Sequence, residues 1–158
     1  MGLGSNRTWK KMDSLAILQK AVIELGQILA ETRCASFYET EPVPKSDQNN
    51  FINTAVTGFF AGSPEELLFR IQETEAEFGR DRSMETRWGE RSLDIDILLF
   101  GSLVFSSVNL VIPHPRLEER RFALEPLLEL MPQACSPVTG KSYQGICALL
   151  SGQCVKKL

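Results

Sequence analysis

The chain has 158 residues, 43% of them hydrophobic and 23% charged, and its 17 Lys and Arg against 20 Asp and Glu leave a formal net charge of −3. This is the size and usage of one folded domain; it excludes disordered or fibrous composition, and the mildly acidic total excludes a protein that coats nucleic acid through a basic surface. No apolar run reaches the ~18 residues of a membrane span and the N-terminus lacks a signal-peptide pattern, so the sequence predicts a soluble, cytoplasmic single domain over residues 1–158.

Gly2-Leu3-Gly4-Ser5-Asn6 lacks the GxGxxG spacing and the GK[ST] ending of phosphate loops. It reads as a short first strand, Met1 to Leu3, turning into a loop that Asn6 can tie to its neighbours. Leu15, Leu18, Val22 and Leu25 fall at helical spacing over Asp13 to Leu25, with Gly26 as the C-terminal cap. Thr32 to Tyr38 and Phe51 to Phe60 predict two strands, joined by the Pro-, Asp- and Asn-rich segment Glu41 to Asn50. Ser63-Pro64-Glu65-Glu66 predicts a helix start, with Ser63 as cap, Pro64 in the first turn and Glu66 as the capping-box carboxylate. Leu67, Leu68, Ile71 and Phe78 form that helix's apolar stripe. Glu75 lies on the same stripe with Gln72 beside it, either at a wet edge or as a carboxylate aimed into a site. Leu93 to Phe100 predicts a strand ended by Gly101. The order strand, helix, two strands, helix, strand predicts an α+β sandwich with helices on one face of a mainly antiparallel sheet. Beyond it, Pro113, Pro115, Pro126, Pro132 and Pro137 predict short pieces and one last helix, Tyr143 to Leu150.

Side chains alternate along a strand, so Asp94 and Asp96 share one face, their Cα atoms about 6.8 Å apart, while Leu93, Ile95, Ile97 and Leu99 take the other. Aspartate is depleted in strands; such a pair either solvates a wet face or shares hard divalent cations. The context is arginine-rich. No lysine lies between Lys45 and Lys141, yet seven of the ten arginines fall between Arg80 and Arg121. Arg80, Arg82, Arg87 and Arg91 suit bidentate recognition of phosphate oxygens, the plainer reading being a solvated loop partnered by Asp81, Glu85 and Glu90. Trp88 offers a flat face to a ring or a guanidinium. His114-Pro115-Arg116 and Arg120-Arg121-Phe122 repeat the recipe, with His114 either structural or a phosphate contact. Cys34, Cys135, Cys147 and Cys154 form no CxxC pair and have one histidine for company, which predicts free thiols rather than a zinc site.

The run from Arg87 to Leu98, RWGERSLDIDIL, resembles the signature of the 6-hydroxymethyl-7,8-dihydropterin pyrophosphokinases. Gly4-Ser5-Asn6, the segment Ser36 to Pro42, Phe51-Ile52-Asn53, Gly79 to Arg82 and Pro113 to Arg116 fall in that family's order. The resemblance implies a ferredoxin-like βαββαβ fold with a C-terminal extension, and transfer of the β,γ-diphosphate of ATP to the hydroxymethyl group of the reduced pterin. It implies that Asp94 and Asp96 bind two Mg²⁺ ions. Phe51 and Phe122 would sandwich the pterin, Asn53 would read its edge, and Thr40 and Val43 would lend backbone contacts. Glu75 would line the site. Gln72, Trp88, Arg91, His114 and Arg120 would contact ATP, and Arg80 and Arg82 would sit on a catalytic loop. The partners implied are small molecules, with no nucleic acid or membrane, and the chain acts as a monomer. Phe51 stands where the family often has tyrosine. Family members also carry more residues ahead of Gly-Ser-Asn, which predicts a start site placed downstream of theirs. An RNA-binding module would need an aromatic and basic strand pair, which is missing, and a non-catalytic sensing domain would leave the aspartates and arginines unexplained.

Overall fold

Asp13 and Ser63, each just ahead of an amphipathic run, start the two helices that pack on the sheet. Asp13 Oδ1 accepts from the Ala16 N–H at 2.8 Å and opens α1 (Ser14–Ile28). Ser63 and Glu66 close a reciprocal capping box at the start of α2 (Pro64–Glu77), satisfying two donors that a bare helix end leaves open. The computed structural model describes residues 1–42, 47–81 and 89–158; the expectations for Val43, Arg82 and Trp88 lie outside the described residues.

The strands are β1 (Gly2–Ser5), β2 (Ala30–Cys34), β3 (Tyr38–Thr40), β4 (Phe51–Phe59), β5 (Asp94–Asp96), β6 (Phe105–Ser106), β7 (Val111–Ile112) and β8 (Val155–Lys157). The main sheet has the order β5-β1-β4-β3-β8 with β2 also on β4, and every pairing is antiparallel. With β2 and β3 taken as one interrupted strand, β5, β1, β4 and β3 give the ferredoxin-like arrangement. One core, containing Leu3, Ile17, Leu25, Val56, Ile71 and Ile95, lies between the sheet and the α1 and α2 layer. A second gathers Leu98, Leu117, Leu124, Leu127 and Tyr143 around α3 (Arg121–Leu130) and α4 (Tyr143–Leu149).

Several boundaries differ from the sequence expectation. α1 runs through Gly26 because Leu29, itself buried, donates its N–H to Leu25. The predicted strand Thr32 to Tyr38 is split: a register shift between Ala30 and Arg33, with Glu31 at φ +50, twists β2 off, and β3 begins only at Tyr38. β1 extends to Ser5 since Gly4 and Ser5 pair with Asn53 and Ile52 of β4. β5 covers only Asp94–Asp96, because it is the edge strand and its register with β1 ends where Asp96 meets Gly2. The proline-broken tail holds α3, with Pro126 inside it, and the edge strand β8. α3 also lies on the face opposite α1 and α2, where all helices were expected on one.

Glu129 fastens that face. It accepts from the Tyr38 O–H at 2.7 Å and the Ser36 O–H at 2.8 Å, with Lys157 Nζ at 3.4 Å. Partial burial would raise its carboxyl, but these hydrogen bonds outweigh it and hold it below the ordinary 4.5. Glu129→Ala is expected to lose about 2 kcal/mol and roughly 4–8 °C in melting temperature at neutral pH. Because the folded value is depressed, the difference should be full above pH 4.5 and shrink as pH falls through the lowered value, as pH-dependent melting would show.

Candidate active site

Cross-strand neighbours point to the same face of a sheet, and the register aligns Tyr38, Asn53, Gly4 and Asp94 in one row across β3, β4, β1 and β5. The adjacent row sets Ala55, Gly2 and Asp96 side by side. Gly4 therefore puts bare backbone between Asn53 and Asp94, whereas the space over Gly2 is filled by Leu98, which an added Cβ there would meet at 3.2 Å. A Cβ at Gly4 would come within 3.0 Å of Asn53 Oδ1, so the bare backbone is what lets Asn53 lie where it does. Asn53, only 5% exposed, donates its amide N–H to Thr40 Oγ1 at 2.8 Å, which orients the amide. Phe51 precedes it by two residues on the same face, half-buried.

At the far end of the first row, α2 and the residues after it deliver a charged cluster. Glu75 is 1% exposed and accepts from the Ile95 N–H at 2.8 Å and from Arg80, whose Nη1 also donates to Asp94 Oδ1. Arg91 Nη1 holds the other Asp94 oxygen at 2.7 Å. Burial would raise the Asp94 carboxyl, but the two guanidiniums outweigh it and keep it below the usual range. Asp96 Oδ2 lies 3.2 Å from Arg120 Nη1 and 3.6 Å from His114 Nε2. Burial pushes the His114 imidazole down, against the pull of Asp96. His114 Nδ1 accepts from the Arg116 N–H at 3.1 Å, which leaves Nε2 as its protonated nitrogen toward Asp96. Burial likewise lowers Arg120, whose guanidinium sits 5.6 Å from the centre of the Phe122 ring. Three arginines thus meet three carboxylates. Among the described residues these groups balance one another, and Arg116 lies near enough to lower both His114 and Arg120.

Asn6 ties these parts together. It is 2% exposed, its Oδ1 accepts from the Arg91 N–H at 2.8 Å, and its amide reaches Gln48 Oε1 at 3.3 Å. Asn49 bridges Glu90 and the Asn6 carbonyl. The turn after β1, the end of the segment after Pro42 and the approach to β5 therefore meet at one side chain.

The profile of the family described as 7,8-dihydro-6-hydroxymethylpterin-pyrophosphokinase (HPPK) matches residues 1–132. The chain belongs to this family. It is 43% identical over 135 residues to the 2-amino-4-hydroxy-6-hydroxymethyldihydropteridine pyrophosphokinase of Bacillus subtilis, covering 84% of this chain and 77% of the relative. To the protein of the same name from Aquifex aeolicus it is 36% identical over 141 residues, 89% of this chain and 84% of that one. A solved structure of Plasmodium falciparum HPPK-DHPS matches 94% of this chain and 44% of its own with a TM-score of 0.70 at 15% identity, a likeness of fold.

Of the residues singled out in the sequence, the fold of this HPPK family member brings Glu75, Arg80, Arg91 and Asp94 into one set of contacts and Asp96, His114 and Arg120 into a second, the two sets carried by the neighbouring aspartates of β5. Thr40, Phe51 and Asn53 stand across Gly4 from Asp94, Phe122 joins through Arg120, and Gln72 lies half-buried on α2, one turn before Glu75. Glu75 is thus turned inward rather than lying at a wet edge. The sequence reading left three features out: the bare backbone at Gly4 between Asn53 and Asp94, the tie of Tyr38 to α3, and the approach of residues 152–155 to Phe122. Each depends on pairing between distant segments, for which no local pattern exists.

Proposed function

We propose that the chain transfers the β,γ-diphosphate of ATP, as a unit, to the hydroxymethyl group of 6-hydroxymethyl-7,8-dihydropterin in folate synthesis, releasing AMP. The observation that carries this reading is the bare backbone at Gly4. It lies between an oriented amide at Asn53 and a carboxylate pair at Asp94 and Asp96. A flat heterocycle with hydrogen-bonding edges fits one end, and a polyphosphate fits the other.

The donor set also fits Mg²⁺. Among the described residues no group of three or more His, Cys, Asp or Glu side chains forms a complete cage. Two carboxylates instead suit a cation that arrives already held by nucleotide phosphates. Asp94 and Asp96 would hold two such ions, which when bound supply positive charge and acidify the substrate hydroxyl. The protein's own contribution is placement. Arg80 is held by Glu75 and Asp94, Arg91 by Asp94 and Arg120 by Asp96, so three guanidiniums stand ready to shift part of their hydrogen bonding onto phosphate oxygens. His114 keeps its Nε2 proton beside Asp96 and donates to a phosphate without adding a charge. Phe51 and Phe122 stack on the pterin, Asn53 reads its edge, and Thr40 and Val43 give backbone contacts. Gln72, Trp88 and Arg82 complete the ATP side.

In this reading residues 1–158 work as one catalytic domain, as a monomer in the cytoplasm. No helix among the described residues is long and apolar enough to cross a membrane. Incubation with ATP, Mg²⁺ and 6-hydroxymethyl-7,8-dihydropterin is expected to yield AMP and the pterin diphosphate by chromatography. ADP, or no nucleotide product, would overturn the reading.

A further inference from the structure

The family match ends at residue 132, yet the last strand and its approach border the substrate cleft. A cavity of about 150 Å³ is lined by Thr40, Pro42 and Phe122 together with Gly152, Cys154 and Val155. Two ties hold this late segment in place. Val155 opens β8 and pairs with Thr40 of β3. Gln153 works at the other end: its Oε1 accepts from the Arg121 N–H at 2.9 Å and its Nε2 donates to the Glu119 carbonyl at 2.8 Å.

The Arg121 N–H belongs to the first residue of α3, which has no side-chain cap from its own neighbourhood. Such an N–H has no partner within the helix, and here it finds one on a side chain 32 residues further along. Arg121 returns the contact through its guanidinium, which donates to the Gln153 carbonyl at 3.2 Å. The clasp spans the junction of the 3₁₀ turn (Leu117–Glu119) and α3, and that junction carries Arg120 and Phe122.

We propose that residues 152–155 form a wall of the pterin subsite, and that Gln153 is a positioning residue which fixes the Phe122 ring by clasping the start of α3. The proposal rests on the pyrophosphokinase reading. It makes the C-terminal strand part of substrate selection, so that bulk on the pterin face turned toward Thr40 and Gly152 is refused by a segment outside the family match.

Two substitutions test it, read by equilibrium binding of 6-hydroxymethyl-7,8-dihydropterin without ATP, of ATP with Mg²⁺, and by thermal melting. Gly152 does not have the left-handed φ and an added Cβ meets no atom within 4 Å, so Gly152→Phe should fold normally while adding bulk at the rim of the cavity it lines. It is expected to raise the pterin dissociation constant at least about tenfold with ATP binding within twofold of wild type. Gln153→Leu keeps the bulk but removes both hydrogen bonds. It is expected to weaken pterin binding about tenfold with a smaller change for ATP. Equal losses for pterin and ATP would mean a merely structural role and overturn the proposal, as would unchanged pterin binding in both variants. A wild-type chain that releases no AMP from ATP, Mg²⁺ and the pterin would overturn the pyrophosphokinase reading as well, whereas wild-type turnover with unaffected variants removes only the wall.

Discussion

Asp96→Ala is expected to lower kcat by at least about 10³-fold, equivalent to about 4 kcal/mol in the barrier, while moving the melting temperature by no more than about 2–4 °C. The asymmetry follows from where Asp96 sits. Its side chain is 36% exposed, and its contacts with Arg120 and His114 lie at 3.2 and 3.6 Å, so folding depends on it little. Catalysis is expected to depend on it much more in the proposed reaction, because it is one of two carboxylates on the site face of β5 and the one whose oxygens are less fully engaged. Excess chelator added to the wild-type chain should abolish turnover in the same assay. Substantial activity in Asp96→Ala, or under chelation, would contradict the role given to this face.

Glu75→Ala should reverse that balance, with a large loss of stability and a loss of activity that follows from it. The carboxylate is 1% exposed, it accepts the Ile95 N–H in the middle of β5, and it pairs with Arg80, whose side chain is 6% exposed. Removing one partner of a buried ion pair destabilises by about 3–5 kcal/mol when the remaining charge is left alone; Arg80 keeps Asp94, so the low end of that range applies, and the loss of the acceptor for the Ile95 N–H contributes to it. For a chain of this length, about 3 kcal/mol is a fall of at least roughly 6 °C in melting temperature. Glu75→Gln keeps an acceptor for the Ile95 N–H and should fall between wild type and alanine. A Glu75→Ala variant that melts like wild type would show that Arg80 does not depend on this carboxylate.

These two residues also show how unevenly the site could be read from the chain. Asp94 and Asp96 were legible because strand alternation is a local rule: two aspartates two residues apart must share a face wherever the strand goes. Glu75 was legible only as a misfit. Helical periodicity places it on the apolar stripe, but whether that position meets water or Arg80 is decided by the segment that follows α2 and by β5 lying alongside. The α2 start was readable to the residue, since Ser63, Pro64 and Glu66 act within one turn. α3 was not, because Pro126 removes an N–H and so resembles a break. The helix persists because Ala123, Leu124 and Leu127 bury one face in the second core.

The sequence by itself determined the element order of the ferredoxin-like unit, the carboxylate pair, the arginine block and, through the run from Arg87 to Leu98, the family. All of these rest on short-range periodicity, capping chemistry or contiguous residues. Only the tertiary structure decided which charges meet, that Gly4 leaves bare backbone between Asn53 and Asp94, and that Gln153 reaches the start of α3. Those contacts join segments far apart in the chain, and their geometry is set by strand register and core packing, which no local pattern encodes.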